Sequence, residues 1–153
     1  MFKITRNLLI VFVFIVCFVL NVFSQKTLES IESTEADLKG CIRMYQENEF
    51  VIKTKDEYLK NIRNDAQKQS CVENAEKLEF DKYSYLGLEI NSGYCRRPLG
   101  LKHEVTKDIS EKTYTLKVSY IDPNGQVCRA LSQYELWIRL PKIPEDFTVN
   151  FKV

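Results

Sequence analysis

Residues 84–90 read "SYLGLEI" and residues 113–120 read "TYTLKVSY". Leu86, Leu88 and Ile90 recur at every second position of the first. Tyr114, Leu116, Val118 and Tyr120 do so in the second, with Thr and Lys between them. Successive side chains of a strand point to opposite sides, so a period of two gives each stretch one apolar and one polar face. "FTVNFKV", residues 147–153, repeats the pattern with Phe147, Val149, Phe151 and Val153 on one side. Such alternation marks antiparallel strands with one buried face. Between the second stretch and "VCRALSQYELWIRL" stands "DPNG", residues 122–125, where Pro fixes φ and Gly accepts a positive one, so a turn is expected.

Outward from these runs, "LKHEVTK" reads as a further strand and "CIRMYQENEFVIK" as a strand ending near Phe50 and Ile52. "TKDEYLKNIRNDAQK" changes the period. Thr54 followed by Glu57 is a capping box, and Tyr58, Leu59 and Ile62 recur at helical spacing, so a helix is expected over residues 55–67. The class is α+β: six or seven mainly antiparallel strands, one main helix, stapled by disulfides.

The first residues, "MFKITRNLLIVFVFIVCFVLNVFSQ", carry Lys3 and Arg6 ahead of an apolar run of 13 residues from Leu8 to Leu20. Small residues Val22 and Ser24 then precede Gln25. This is the layout of a secretory signal peptide, with residues 1–24 removed, and the run falls short of the ~20 residues of a membrane span. The "FSQ" ending resembles export signals of Gram-negative bacteria, which places the protein in the periplasm or outside the cell. Cys17 lies inside the apolar run and leaves with it; retention of the segment as an anchor is the other reading. Taking 24 residues from 153 leaves 129, enough for one domain with a core. Residues 25–40 are polar and acidic and read as a tether, which puts the domain at 41–153. The mature chain has 20 basic and 21 acidic side chains, a balance that argues against nucleic acid or anionic lipid as the main partner.

Four cysteines remain: Cys41, Cys71, Cys95 and Cys128. An even number in an exported chain implies two disulfides. The spacing alone leaves all three connectivities open. Cys95 follows one expected strand and Cys128 opens another, and antiparallel neighbours can reach the ~5.5 Å Cα separation of a disulfide. Cys95–Cys128 is therefore expected, with Cys41–Cys71 by elimination. Close Cys or His pairs, which zinc sites use, do not occur, and no metal or cofactor is expected.

The chain reads as non-catalytic. His103 is the only histidine and has no nucleophile motif beside it; Glu145–Asp146 is an adjacent pair on a loop; Asp122 and Asn124 begin like a calcium loop without its later acids. Two features point to a partner. In "INSGYCRRPLG", residues 90–100, Arg96 and Arg97 follow a cysteine in a loop. They fit either an arginine offered to a trypsin-like protease or a stapled turn kept soluble by charge. In "YELWIRL", Leu136, Ile138 and Leu140 share one face, which leaves Trp137 on the other with Glu135 and Arg139. An aromatic there serves as a partner anchor, or packs beneath a helix or over an arginine stem.

"FVIKTKDEYLKNI", "FDKYSYLGLEINSGYC" and the run from Tyr114 to Val153 together resemble small exported bacterial proteins. More distantly they are similar to the C-terminal domain of the PrcB protease-complex subunit family. The shared layout is the strand and helix from Val51 to Ile62, the strand entry at Phe80 to Ser84, "LG" at Leu86 and Gly87, "SGY" at Ser92 to Tyr94, and a terminal strand leading into "PK". It covers about residues 50–153, and the cysteines are additional to it. The resemblance implies a binding or supporting role toward an exported protease, with no catalytic residues. A structural or adhesive role in the cell envelope, with another envelope protein as partner, is the alternative.

Overall fold

The computed structural model describes residues 28–43, 48–63, 68–94, 99–121 and 127–153. Its strands are β1 (Leu28–Ile31), β2 (Thr34–Glu35), β3 (Glu49–Ile52), β4 (Tyr83–Tyr94), β5 (Leu99–Asp108), β6 (Thr113–Ile121), β7 (Val127–Pro141) and β8 (Thr148–Lys152). The helices are α1 (Lys55–Asn61) and α2 (Lys68–Ala75). One sheet has the order β1-β5-β6-β8 and the other β2-β7-β4-β3. The mainly antiparallel α+β class read from the alternation is the observed one.

The alternating residues explain the layers. Leu86, Leu88 and Ile90 of β4 and Leu136, Ile138 and Leu140 of β7 turn to one side of their sheet. There they meet Val105 of β5 and Tyr114, Leu116 and Val118 of β6 in a buried cluster between the two sheets. The opposite side of the β4–β7 ladder is also buried. Tyr85 and Trp137 project there, with Phe50 and Ile52 of β3, and are covered by Tyr58 and Ile62 from α1 and its end, Cys71 and Ala75 from α2, and Leu38, Ile42 and Phe80. The fold is thus a two-sheet sandwich with a helical layer over one outer face. Burial on both faces makes β4 buried without a break from Ser84 to Leu88. The buried Ser84 hydroxyl in that run is satisfied: the Ile143 N–H donates to Ser84 Oγ at 3.0 Å.

Several expectations need correction. The polar stretch 25–40 is no tether over its described part. Leu28–Ile31 pairs with β5, Thr34–Glu35 pairs with β7, and Leu38 is 1% exposed. Edge strands are held by backbone pairing and need few apolar side chains, so the hydropathy pattern did not display them. The helix of 55–67 stops at Asn61. The capping box forms as expected, with the Glu57 N–H donating to Thr54 Oγ1 and the Thr54 N–H to Glu57 Oε2. Ile62 is nevertheless extended and bridges to Ile42, and a second helix begins at Lys68. Eight strands are described rather than six or seven, and β8 runs parallel to β6. Its alternation does turn Val149 and Phe151 toward the core, while Val153 is 71% exposed past its end.

The Cys41–Cys71 disulfide is present, with Cα atoms 5.5 Å apart, and binds the segment after β2 to α2. Cys95, Arg96, Arg97 and the "DPNG" turn lie outside the described residues, as do residues 1–27 and the Cys128 side chain. The β4–β7 register does pair Tyr94 with Val127, the residues that immediately precede Cys95 and Cys128.

Candidate binding groove

Trp137 is not a surface anchor. It is 1% exposed, lies across from Gly87 in the ladder, and tilts against Phe50 with ring centroids 6.3 Å apart. The alternation put it on the correct face, but that face is roofed by helices, and a single strand's period does not reveal what covers it. The proposed contact at Trp137 is therefore replaced by packing.

Arg139, two positions further along the same face, lies at the margin of the helical layer and is exposed. It stands opposite Thr34 of β2 on one side and Tyr85 of β4 on the other. Its guanidinium lies over the Tyr83 ring, 4.7 Å from the centroid. The segment joining β1 to β2 passes alongside, and Glu32, Ser33 and Thr34 complete an open groove of about 260 Å³ with Tyr83 and Arg139. The strap that crosses from one sheet to the other thus builds one wall, and the ends of β4 and β7 build the other.

The electrostatics of the groove follow from this layout. A guanidinium stacked on an aromatic ring is held by its face, and its donors lie in its own plane, the arrangement that suits a carboxylate. Behind it, burial raises the Tyr85 hydroxyl pKa and Arg139 partly opposes that rise, so Tyr85 is a neutral phenol at physiological pH. Sequence reading placed Arg139 outward beside Trp137 but did not see its partners. Tyr83 carries no signal beyond sharing the alternation of Tyr85, and Glu32 to Thr34 belonged to the supposed tether.

The other polar candidates are placed differently. His103 is half-buried on β5 opposite Val118. It borders a second open depression of about 250 Å³ with Lys102, Glu104, Lys117 and Ser119. Asp146 is tied to Lys112 at 2.6 Å, which makes it a link between the β5–β6 turn and the β7–β8 connection. Among the described residues no three His, Cys, Asp or Glu side chains are grouped to hold a metal ion, and no helix is long and apolar enough to cross a membrane. Comparisons with family models, with curated proteins and with solved structures found no match to this chain.

Proposed function

We propose that this chain is a non-catalytic exported binding module that holds another protein of the envelope or its exterior at the Arg139 groove. The observation that carries the reading is the Arg139–Tyr83 contact: an exposed guanidinium resting over an aromatic ring beside hydroxyl groups, on a sheet buried on both faces. A side chain already ordered before binding loses less freedom when a partner docks. The disulfide accords with an oxidising compartment. An exported protease as the partner, stabilised or inhibited, rests on the resemblance of residues 50–153 alone.

A structural or adhesive envelope role draws on a different surface. Thr106, Thr115 and Asn150 stand in one cross-strand row on the outer face of the β1-β5-β6-β8 sheet, next to Lys117 and Lys152 in the following row. Site-specific photo-crosslinking in cells separates the two. A probe at Thr34 is expected to capture a discrete protein adduct and a probe at Asn150 none. Adducts at Asn150 alone overturn the groove reading in favour of the adhesive one. For Arg96 and Arg97 the expected result is no inhibition of a trypsin-like protease at micromolar protein. Tight inhibition lost in Arg96→Ala would make that loop the contact instead.

A further inference from the structure

From the groove's mixed charge we infer the part of the partner it takes: a peptide C-terminus, its terminal carboxylate on Arg139 and its last N–H on the Glu32–Ser33 wall. This rests on the binding-module reading and sharpens it. The groove brings one cation and one anion, Arg139 and Glu32, into the same 260 Å³ space, with the hydroxyl groups of Ser33, between β1 and β2, and of Thr34, the first residue of β2. A bare anion is attracted by Arg139 and opposed by Glu32. A cation meets the reverse. A group with a carboxylate and an N–H donor side by side satisfies both, and the end of a polypeptide is such a group.

The chemistry of each wall fits the assignment. The Arg139 guanidinium carbon lies 4.7 Å from the Tyr83 ring centroid, and its planar fork can pair with a two-oxygen acceptor in a bidentate manner. Glu32 is exposed and Ser33 half-buried on the strap. A carboxylate and a hydroxyl both accept from a peptide N–H. The groove is open, so the preceding residues of the partner leave it along the surface. Its volume holds the terminal residue and little more, which makes the carboxylate, rather than a long sequence, the feature recognised.

The test uses the full chain and acetylated tetrapeptides randomised at each position, followed by NMR. With a free C-terminal acid, shifts are expected to saturate at Ser33, Thr34, Tyr83 and Arg139. Amidation of the C-terminus weakens binding by on the order of tenfold or more, the loss of a charge-assisted pair. Arg139→Ala weakens it to a similar degree. Arg139→Lys, which keeps the charge but not the fork or the stack, also weakens it and guards against a folding artefact. Acetate, lacking the N–H, binds more weakly than the peptide. Amidated peptide binding as tightly as the acid, or no shift at these residues at millimolar peptide, overturns the inference. Adducts at Thr34 that persist under that outcome leave the binding module standing and refute only the terminal carboxylate.

Discussion

Gly87 and Trp137 are direct neighbours across the β4–β7 ladder, and the indole occupies the space where a side chain on residue 87 would stand. A Cβ built on Gly87 would lie 2.4 Å from Trp137 Cη2, closer than carbon atoms approach. The ring has no room to retreat, being 1% exposed and packed against Phe50. Gly87→Ala is therefore expected to cost about 1–3 kcal/mol through overpacking, read from urea unfolding. Trp137 Nε1 has no hydrogen-bond partner among the described residues, so Trp137→Phe removes a buried donor as well as volume and costs less than the ~3–5 kcal/mol of Trp137→Ala. In the Trp137→Phe background Gly87→Ala becomes markedly cheaper, because the six-membered ring of the indole is what it strikes. Additive effects of the two changes would contradict this packing.

Peptide mapping under non-reducing conditions should return Cys41–Cys71 and Cys95–Cys128. The first closes a loop of 30 residues, for which the chain-entropy account gives ~3 kcal/mol. The double replacement Cys41→Ser, Cys71→Ser should lower stability by about that amount. Cys71 is 1% exposed, so reduction in the native state should be slow and should speed up where denaturant opens the helical layer. A peptide joining Cys71 to Cys95 would refute the second pairing.

The Lys53 ammonium donates to the carbonyls of Pro144 and Phe147, each at 3.0 Å, and more weakly to Glu145. It pins the β7–β8 connection to the end of β3, while Lys142 returns the tie by donating to the carbonyls of Lys53 and Phe80. Lys53→Met keeps the aliphatic stem and removes the donors. Faster hydrogen exchange confined to Thr148–Lys152 is the expected result, and unchanged protection there would show that β8 needs no such clamp.

Thr54→Ala removes the oxygen that accepts from the Glu57 N–H at 3.2 Å. The expected cost is ~1 kcal/mol, visible in thermal unfolding. Because α1 carries the fully buried Tyr58, whose hydroxyl donates to the Cys71 carbonyl at 3.2 Å, the loss should spread to α2.

Acid should loosen one link at the turn end. The hydrogen bond from Lys112 holds the Asp146 pKa below its ordinary 3.8. A carboxylate with a lowered folded-state pKa contributes stability that is complete above 3.8 and lost as pH falls through the lowered value. Both side chains are exposed, so the contribution is small and weakened by salt. Carboxyl NMR should show Asp146 titrating below 3.8 in the wild type and moving back toward it in Lys112→Met. No difference between the two would remove the link.

What the sequence makes legible is a period-two set of aliphatic side chains that enters the core between the sheets. Leu86, Leu88 and Ile90, and Leu136, Ile138 and Leu140, declare their strands because each period-two set turns into a single core. Thr54 and Glu57 declare the start of α1 by a local exchange of hydrogen bonds. The strap escapes notice because β1 and β2 are held by backbone pairing, which leaves no pattern in side-chain type; Leu38 is its fully buried side chain, with Ile31 and Ala36 packed at the core margins. The end of α1 escapes because the bridge between Ile62 and Ile42 lies 20 residues apart in sequence. The groove escapes for the same reason: Glu32, Tyr83 and Arg139 meet only after the two sheets are assembled.

The strap also decides how the molecule would answer a pull. Its first strand belongs to one sheet and its second to the other, and about six residues after β2 the chain is bonded through sulfur to α2. Tension applied ahead of Leu28 would strip β1 from β5 and then β2 from β7, and would next reach Cys41. There the load passes across the disulfide to Cys71 and bypasses everything between, β3 and α1 included. Reducing the bond would release that hidden length, roughly 100 Å of extended chain. The oxidised molecule therefore withholds the stretch between Cys41 and Cys71 from the pull.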